Sequence, residues 1–283
     1  MEARMRIAIT GSRGQLGTAL EQVLAGNPLM LIDLPEHDIT DLEAITASIG
    51  AFGPDLIIHA AAMTNVDACE TDPELAYRVN ALGTRNVAVA AQQSGASMVC
   101  VSTDYVFAGD REEAYWEFDD VGPLSVYARS KWAGEQLVRQ LVARHYIVRT
   151  AWLYGDGPRN FVETVLRLAR ERGALTMVTD EVGSPTYAPD LAGALAQLVC
   201  RPAYGTYHFV NEGVCSRYDW AVEILRLAGL SGVPVQPSQD YQRLARVPKR
   251  VALRNLCGAE LGIALRPWRE ALAAYMAARQ DGR

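Results

Sequence analysis

Tyr127 and Lys131, four residues apart in SVYARSKWAGEQL (125–137), are the pair best suited to chemistry. On a helix, positions i and i+4 share one face, so phenol and ammonium can point into one crevice. A free phenol has a pKa of about 10, too high to exchange protons well at neutral pH. A nearby ammonium favours the phenolate and lowers that value, which suits a general acid or base. The lysine is also a compositional exception: the chain has 27 Lys plus Arg, and Lys131 and Lys249 are its two lysines. A compact ammonium can reach a ribose hydroxyl while facing the phenol, which arginine's planar fork does not reproduce. The third candidate is Thr103, in VSTDYVF (101–107). It ends an apolar run of strand character, at the edge where parallel sheets bind ligands. There its hydroxyl can donate to a carbonyl oxygen on which negative charge builds.

A glycine-rich loop supplies the second half of the pattern. ITGSRGQLGTAL places Gly11, Gly14 and Gly17 between the first apolar run and the first helical one. Small residues there let backbone N–H groups approach a pyrophosphate, and the helix N-terminus favours its charge. Which dinucleotide binds is left open by two opposed signals. Asp33, ending the second apolar run, can accept from a ribose 2′-hydroxyl and would repel a 2′-phosphate. Arg13, inside the loop, could clamp that phosphate, so the cofactor is NADP or NAD. Asp38 and Ile39 in EHDITD either flank the adenine or form a turn.

These groups need elements to hold them. RIAIT (6–10), LMLID (29–33), PDLIIHAAA (54–62), SMVCVST (97–103) and YIVRT (146–150) read as strands. Between them LGTALEQVL (16–24), LEAITASI (42–49), PELAYRVNALGTRNVAVAAQQSG (73–95) and SVYARSKWAGEQLVRQL (125–141) read as helices, the third as one long helix. Continuous apolar strands alternating with helices predict an α/β, doubly wound parallel sheet covered on both faces. Beyond residue 150 the alternation loosens. NFVETVLRLARERG (160–173), APDLAGALAQLVC (188–200) and YDWAVEILRLAGL (218–230) read as helices, LTMV (175–178) and TYHFV (206–210) as strands. A proline-containing stretch, 233–250, precedes a final helical region. The expected division is a dinucleotide-binding domain over 1–153, with contributions from about 174–210, and a smaller, partly interleaved substrate lobe mainly over 154–283.

Composition narrows the class. A chain of 283 residues, 49% hydrophobic and 21% charged, is ordinary for a soluble globular protein. Its net charge of −6 argues against nucleic acid or acidic membranes as partners. The five cysteines are odd in number and lack metal-ligand spacing, which points to a reducing, cytoplasmic setting. MEARMRIAITG is too short in apolar residues for a signal peptide.

Taken together, GSRGQLG (11–17), DITD (38–41), PDLIIHAAAMTNVDACE (54–70), STDYVF (102–107), VYARSK (126–131), RTAWLYG (149–155), NFV (160–162) and DEVGSPT (180–186) resemble the extended short-chain dehydrogenase/reductase superfamily. Within it the chain is similar to the dTDP-4-dehydrorhamnose reductase family. The resemblance implies a Rossmann fold and NAD(P)H-dependent reduction of the 4-keto group of dTDP-4-dehydro-β-L-rhamnose. It implies that Tyr127 protonates the emerging alkoxide, that Lys131 tunes Tyr127 and holds the nicotinamide ribose, and that Thr103 binds the carbonyl oxygen. Asp104 and Trp152 match positions that contact the sugar, and Tyr105 is expected to bind it beside them. Gly14, Gln15, Leu16, Asp38, Ile39, Ala61, Ala62 and Thr64 would line the cofactor, with Gly11, Arg13, Gly17, Asp33 and Ser102 beside them.

The chain also departs from that family. His59 stands where Asn is usual, and Asp180-Glu181 where Asp-Gln is usual. In ARVPKRVAL (245–253), Val247 replaces an expected Arg and Val251 an expected Ser. If the missing arginine meets a nucleotide diphosphate, Lys249 or Arg250 must substitute, or the substrate differs. Some family members carry magnesium at a dimer interface; its acidic ligands do not map onto this sequence, so metal and homodimer both stay open. Two alternatives follow: a 4-ketoreductase of another nucleotide-activated deoxysugar, or a regulatory subunit resembling that of methionine adenosyltransferase.

Overall fold

Short apolar runs, mostly buried except for the edge strand β2, build the centre of the molecule: β1 (Ile7–Thr10), β2 (Leu29–Ile32), β3 (Leu56–His59), β4 (Ser97–Thr103) and β5 (His145–Thr150). The computed structural model describes residues 4–157, 160–239 and 241–281, so Met1–Ala3 of the N-terminal run lie outside it. With strand Gly205–His208 these five form a six-stranded sheet in the order Gly205–His208, β5, β4, β3, β1, β2. Every neighbouring pair is parallel. The chain runs outward from β1 to β2, then returns across β1 to β3 and continues the other way. That reversal places a ligand crevice at the carboxyl ends of β1 and β3.

The covering helices are α1 (Gln15–Val23), α2 (Leu42–Phe52), α3 (Val66–Thr71), α4 (Pro73–Tyr77), α5 (Thr84–Ser94), α6 (Val126–Leu141), α7 (Phe161–Arg172), α8 (Ala188–Val199) and α9 (Arg217–Leu227). The two-residue alternation of strands sorts the core onto two faces. Ile7, Ile9, Ile58 and Val148 pack against Leu20 of α1 and Leu191 and Leu195 of α8. Ala8, Ile57, Met98 and Ile147 pack against Ile45 of α2, Val87 and Ala91 of α5, and Val138 of α6. Ser125 caps α6 by accepting from Ala128 N at 3.2 Å, which fixes where the helix bearing Tyr127 and Lys131 begins.

The helix expected over 73–95 differs from a uniform α-helix. Between α4 and α5, residues Arg78–Gly83 widen into a π turn. Its cause is tertiary: Asn80 accepts from Met63 N at 2.8 Å and donates to Ser130 Oγ at 3.1 Å. π turns inside helices recur at functional sites.

A separate core joins Tyr154, Val162 and Leu166 of α7, Trp220 and Ile224 of α9, and Trp268 and Leu272 of the helix Trp268–Asp281. Within 174–210, α8 and Gly205–His208 join the sheet layers. Leu175–Val178 instead pairs in parallel with Val235–Ser238, a strand hidden in the proline-containing stretch.

Candidate active site

A cavity of about 650 Å3 opens at the carboxyl ends of the central strands, and the glycine loop forms its floor. Gly11 has φ 70°, and a Cβ on it would lie 2.7 Å from Ala61 N. One on Gly17 would lie 2.2 Å from Gly11 O. Side chains are therefore excluded sterically, and the backbone can approach a ligand closely. Gly14 caps α1 without a side chain, which leaves first-turn N–H groups for an anion. Ser102 Oγ and Thr150 Oγ1 line this cavity buried and without a hydrogen-bond partner. A glycine cradle beside orphaned hydroxyls fits a dinucleotide.

The residues expected to meet the cofactor converge here: Arg13, Gln15, Leu16, Asp33, Asp38 and Ile39 on one side, Ala61, Ala62, Thr64 and Ser102 on the other. Asp33 caps the loop, accepting from Arg13 N and Leu34 N at 2.8 Å each. The Arg13 guanidinium, 59% exposed, pairs with Glu36 at 2.8 Å at the rim. Asp38 accepts from Thr40 N and Oγ1, both at 2.8 Å, so it is a turn residue as well as a wall.

Tyr127, Lys131, Thr103, Asp104 and Trp152 line the same cavity. Tyr105 does not; its ring stands edge-on to Tyr127, centroids 5.9 Å apart, and props the phenol. One expectation is corrected. Lys131 does not lower the Tyr127 phenol, because burial dominates and raises it above the usual tyrosine range, with Thr103 pulling the other way. The Lys131 ammonium is 2.8 Å from Val101 O, to which it donates, and burial lowers its own pKa. Tyr127 is thus held neutral, the form that can give a proton to an alkoxide. Behind Lys131, Glu135 and Arg149 form a buried bidentate pair at 3.1 and 3.0 Å that ties α6 to β5.

Asp104 is 3% exposed, and burial pushes its carboxyl up to about 7 while the Thr103 hydrogen bond and the Arg217 charge pull it down. Thr103 Oγ1 donates to Asp104 Oδ1 at 3.0 Å and accepts from Tyr105 N at 3.2 Å.

His59, which stands where the family resemblance leads one to expect asparagine, has both ring nitrogens paired. Thr84 Oγ1 donates to Asn80 O at 2.8 Å, so it accepts from His59 Nε2 at 2.9 Å. His59 Nδ1 then accepts from Thr10 Oγ1 at 2.7 Å, and Thr10 accepts from Ala61 N at 3.3 Å. This chain runs from the cavity wall to the π turn. Burial, helped by the Lys131 charge, pushes the imidazole down to about 3, which keeps it neutral.

Behind Trp152, a lining residue already expected from the sequence, stand charged groups outside the cavity lining that local sequence reasoning missed. Trp152 has φ 45°, a left-handed conformation uncommon outside glycine. Its ring fills the space where a Cβ on Gly183 would come within 2.7 Å. Arg217, at the start of α9, lays its guanidinium 3.6 Å from the Trp152 ring centroid. Glu181 pairs with Arg217 at 3.7 Å and with Arg243 at 2.6 Å. Lys249 is instead paired with Asp180 at 2.7 Å, and Arg250 donates to Glu112 O at 3.4 Å; neither lines the cavity. Val247 and Val251 are buried at 8% and 2% exposure. The arginines nearest Trp152 are therefore Arg217, stacked on its ring, and Arg243, joined to it through Glu181, and no local motif marks either.

Among the described residues, no group of three or more His, Cys, Asp or Glu side chains is placed to hold a metal ion. No helix among them is long and apolar enough to cross a membrane.

Comparison with known proteins agrees with this geometry. Residues 5–280 match the family model for the RmlD substrate binding domain. The spore coat polysaccharide biosynthesis protein SpsK of Bacillus subtilis is 38% identical over 279 residues, covering 98% of each chain. The dTDP-4-dehydrorhamnose reductase of Mycolicibacterium smegmatis is 41% identical, covering 98% of this chain and 88% of that one. The crystal structure of dTDP-4-dehydrorhamnose reductase from Bacillus anthracis, in complex with NADP, has a TM-score of 0.94 at 39% identity, covering 98% of this chain and 99% of that one. With its glycine cradle, its threonine at the end of β4 and its tyrosine and lysine on α6, the chain belongs to the dTDP-4-dehydrorhamnose reductase family.

Proposed function

We propose that the protein reduces the 4-keto group of dTDP-4-dehydro-β-L-rhamnose to dTDP-L-rhamnose with NADPH or NADH. The observation that carries this reading is the meeting of Thr103, Tyr127 and Lys131 in the one cavity floored by the glycine loop. When bound, the reduced nicotinamide supplies the hydride. The chain supplies the rest. Tyr127, held neutral by burial, gives its proton to the oxygen that becomes the 4-hydroxyl. Lys131, anchored on Val101 O, presents its remaining N–H groups to the nicotinamide ribose. Arg217 and Arg243 both pair with Glu181, and Arg217 also faces Asp104, so this network is where positive charge beside Trp152 could meet a nucleotide diphosphate.

On this reading the cofactor is held by 1–153 with part of 174–210, and the sugar nucleotide mainly by 154–283. A cytoplasmic setting is supported by five unpaired thiols. The gathered catalytic set favours an enzyme over the regulatory-subunit alternative. The deciding assay mixes folded protein with dTDP-4-dehydrorhamnose and each reduced cofactor. Absorbance at about 340 nm, where reduced nicotinamides absorb, should fall; no fall with either cofactor rejects the reading. Lys131→Arg should lose most activity despite keeping the charge, and near-native turnover would remove the geometric role given to this lysine.

A second reading has specific support. Val247 and Val251, which stand where the family resemblance leads one to expect Arg and Ser, favour a reductase for another nucleotide-activated deoxysugar. A panel of dTDP, UDP and GDP 4-keto sugars separates the two by kcat/KM.

A further inference from the structure

Thr103 carries one hydroxyl hydrogen, and in this structure that hydrogen is given to Asp104 Oδ1 at 3.0 Å. A hydroxyl so committed cannot also donate to a ketone oxygen. An ionised carboxylate only accepts, whereas a protonated carboxyl can donate. We propose that Asp104 is a positioning residue whose own protonation state decides whether Thr103 offers its hydrogen to the substrate oxygen. The proposal rests on the reading of Thr103 as the carbonyl-binding group.

The hydrogen-bond count closes in both states. With Asp104 ionised, Thr103 donates to it and accepts from Tyr105 N at 3.2 Å. With Asp104 protonated, Thr103 oxygen accepts from both Asp104 and Tyr105 N, using its two lone pairs. Its hydrogen is then free to turn towards the crevice, where Thr103 also hydrogen-bonds with the Tyr127 phenol beside the substrate oxygen. The switch exchanges one proton between Asp104 and solvent; within the reaction neither Asp104 nor Thr103 gives one up, and the alkoxide is protonated by Tyr127.

The surroundings allow Asp104 to take either form near neutrality. The carboxyl is 3% exposed at the end of β4, and burial favours its neutral state. The charged or titratable groups around it are Arg217 from α9, Tyr127 from α6 and Tyr105 next in the chain. Glu181 and Arg243 act on Tyr105 and Arg217 from the far side. Arg217 is the cation that opposes neutrality, but its guanidinium is stacked on Trp152 at 3.6 Å and paired with Glu181 at 3.7 Å. Its pull is divided, and the carboxyl lies at about 7.

The test is a pH profile of kcat at saturating cofactor, for native protein, Asp104→Asn and Thr103→Val. In the native enzyme kcat should fall by about tenfold to a hundredfold as pH rises through the Asp104 range, the size expected for loss of one oxyanion donor. Asp104→Asn carries an amide that donates to Thr103 at every pH, so its profile should be flat there, whatever its absolute turnover. Thr103→Val should be slow and also flat. A limb near neutrality that survives in Asp104→Asn overturns the proposal. Infrared difference spectroscopy gives a readout without turnover: a protonated carboxyl band should titrate near neutrality and vanish in Asp104→Asn. A carboxyl already ionised at about pH 5, as in ordinary aspartates, also overturns it. If no 4-keto nucleotide sugar is reduced at any pH, the proposed reaction falls, and the infrared titration alone decides whether Asp104 switches Thr103.

Discussion

The two ends of the cavity are made from different material. At the cofactor end, Gly11, Gly14 and Gly17 act by what they lack, and recognition falls to backbone N–H groups and to α1. At the other wall, which the proposed function gives to the sugar, Asp104 and Trp152 are backed by Glu181, Arg217 and Arg243, side chains brought from five segments. The first end is pre-formed and tolerates little added volume. The second is a network of shared charges in which each group sets its neighbours' state. The difference teaches that binding the common cofactor asks for steric clearance, whereas choosing a substrate asks for mutually adjusted side chains.

Substitutions can break or sharpen that contrast. The largest effect is expected at the seam between the ends. Tyr127→Phe removes a proton donor alone, so kcat should fall by about a thousandfold while the cofactor dissociation constant stays within about twofold, as stopped-flow and fluorescence titration would show. A comparable loss of cofactor affinity would merge the two ends. Next is Gly17→Ala, whose methyl would meet Gly11 O. It should destabilise the fold by about 1–3 kcal/mol in denaturant titration and weaken cofactor binding at least as much as sugar binding. Arg217→Gln should act at the other end: KM for the nucleotide sugar rises by about tenfold, with cofactor affinity unchanged. If it weakens the cofactor equally, the charge network serves both ends.

The smallest expected effect concerns His59 and carries a sign. Its folded pKa, about 3, lies below the unfolded value of 6.5. The unfolded chain therefore binds the extra proton, so stability is full above the unfolded value and declines as pH falls towards the folded one. His208, also pushed down to about 3 by burial and the Arg149 charge, adds to the decline. Melting temperature should drop on acidification, and His59→Asn should make the drop shallower without abolishing it. At neutral pH the same variant should lose no more than about 1.5 kcal/mol, since the amide can still bridge part of the chain from Thr10 to Thr84.

Legibility in the sequence followed the same division. The glycine loop and the Tyr127–Lys131 pair are local patterns, so periodicity and spacing sufficed to place them on a turn and on one helical face. Arg217 was not readable, because its meaning comes from Trp152 and Glu181, which precede it by tens of residues. The π turn escaped for a similar reason, its cause being bonds from Asn80 to Met63 and Ser130. The Val235–Ser238 strand was masked by Pro237, tolerated in a two-stranded ribbon where no outer neighbour requires its N–H. The effect of Lys131 on the phenol was misjudged because sequence shows proximity but not burial, and burial won.

The strand Gly205–His208 has a consequence for how the chain is made. It seals the outer rim of β5, yet it leaves the ribosome long after β5 does. Until then the nascent sheet presents a row of unsatisfied amides and carbonyls, a template for pairing with other polypeptides. A fragment ending before residue 205, although it contains every glycine of the cradle and the whole of α6, should therefore need chaperone protection to stay dispersed.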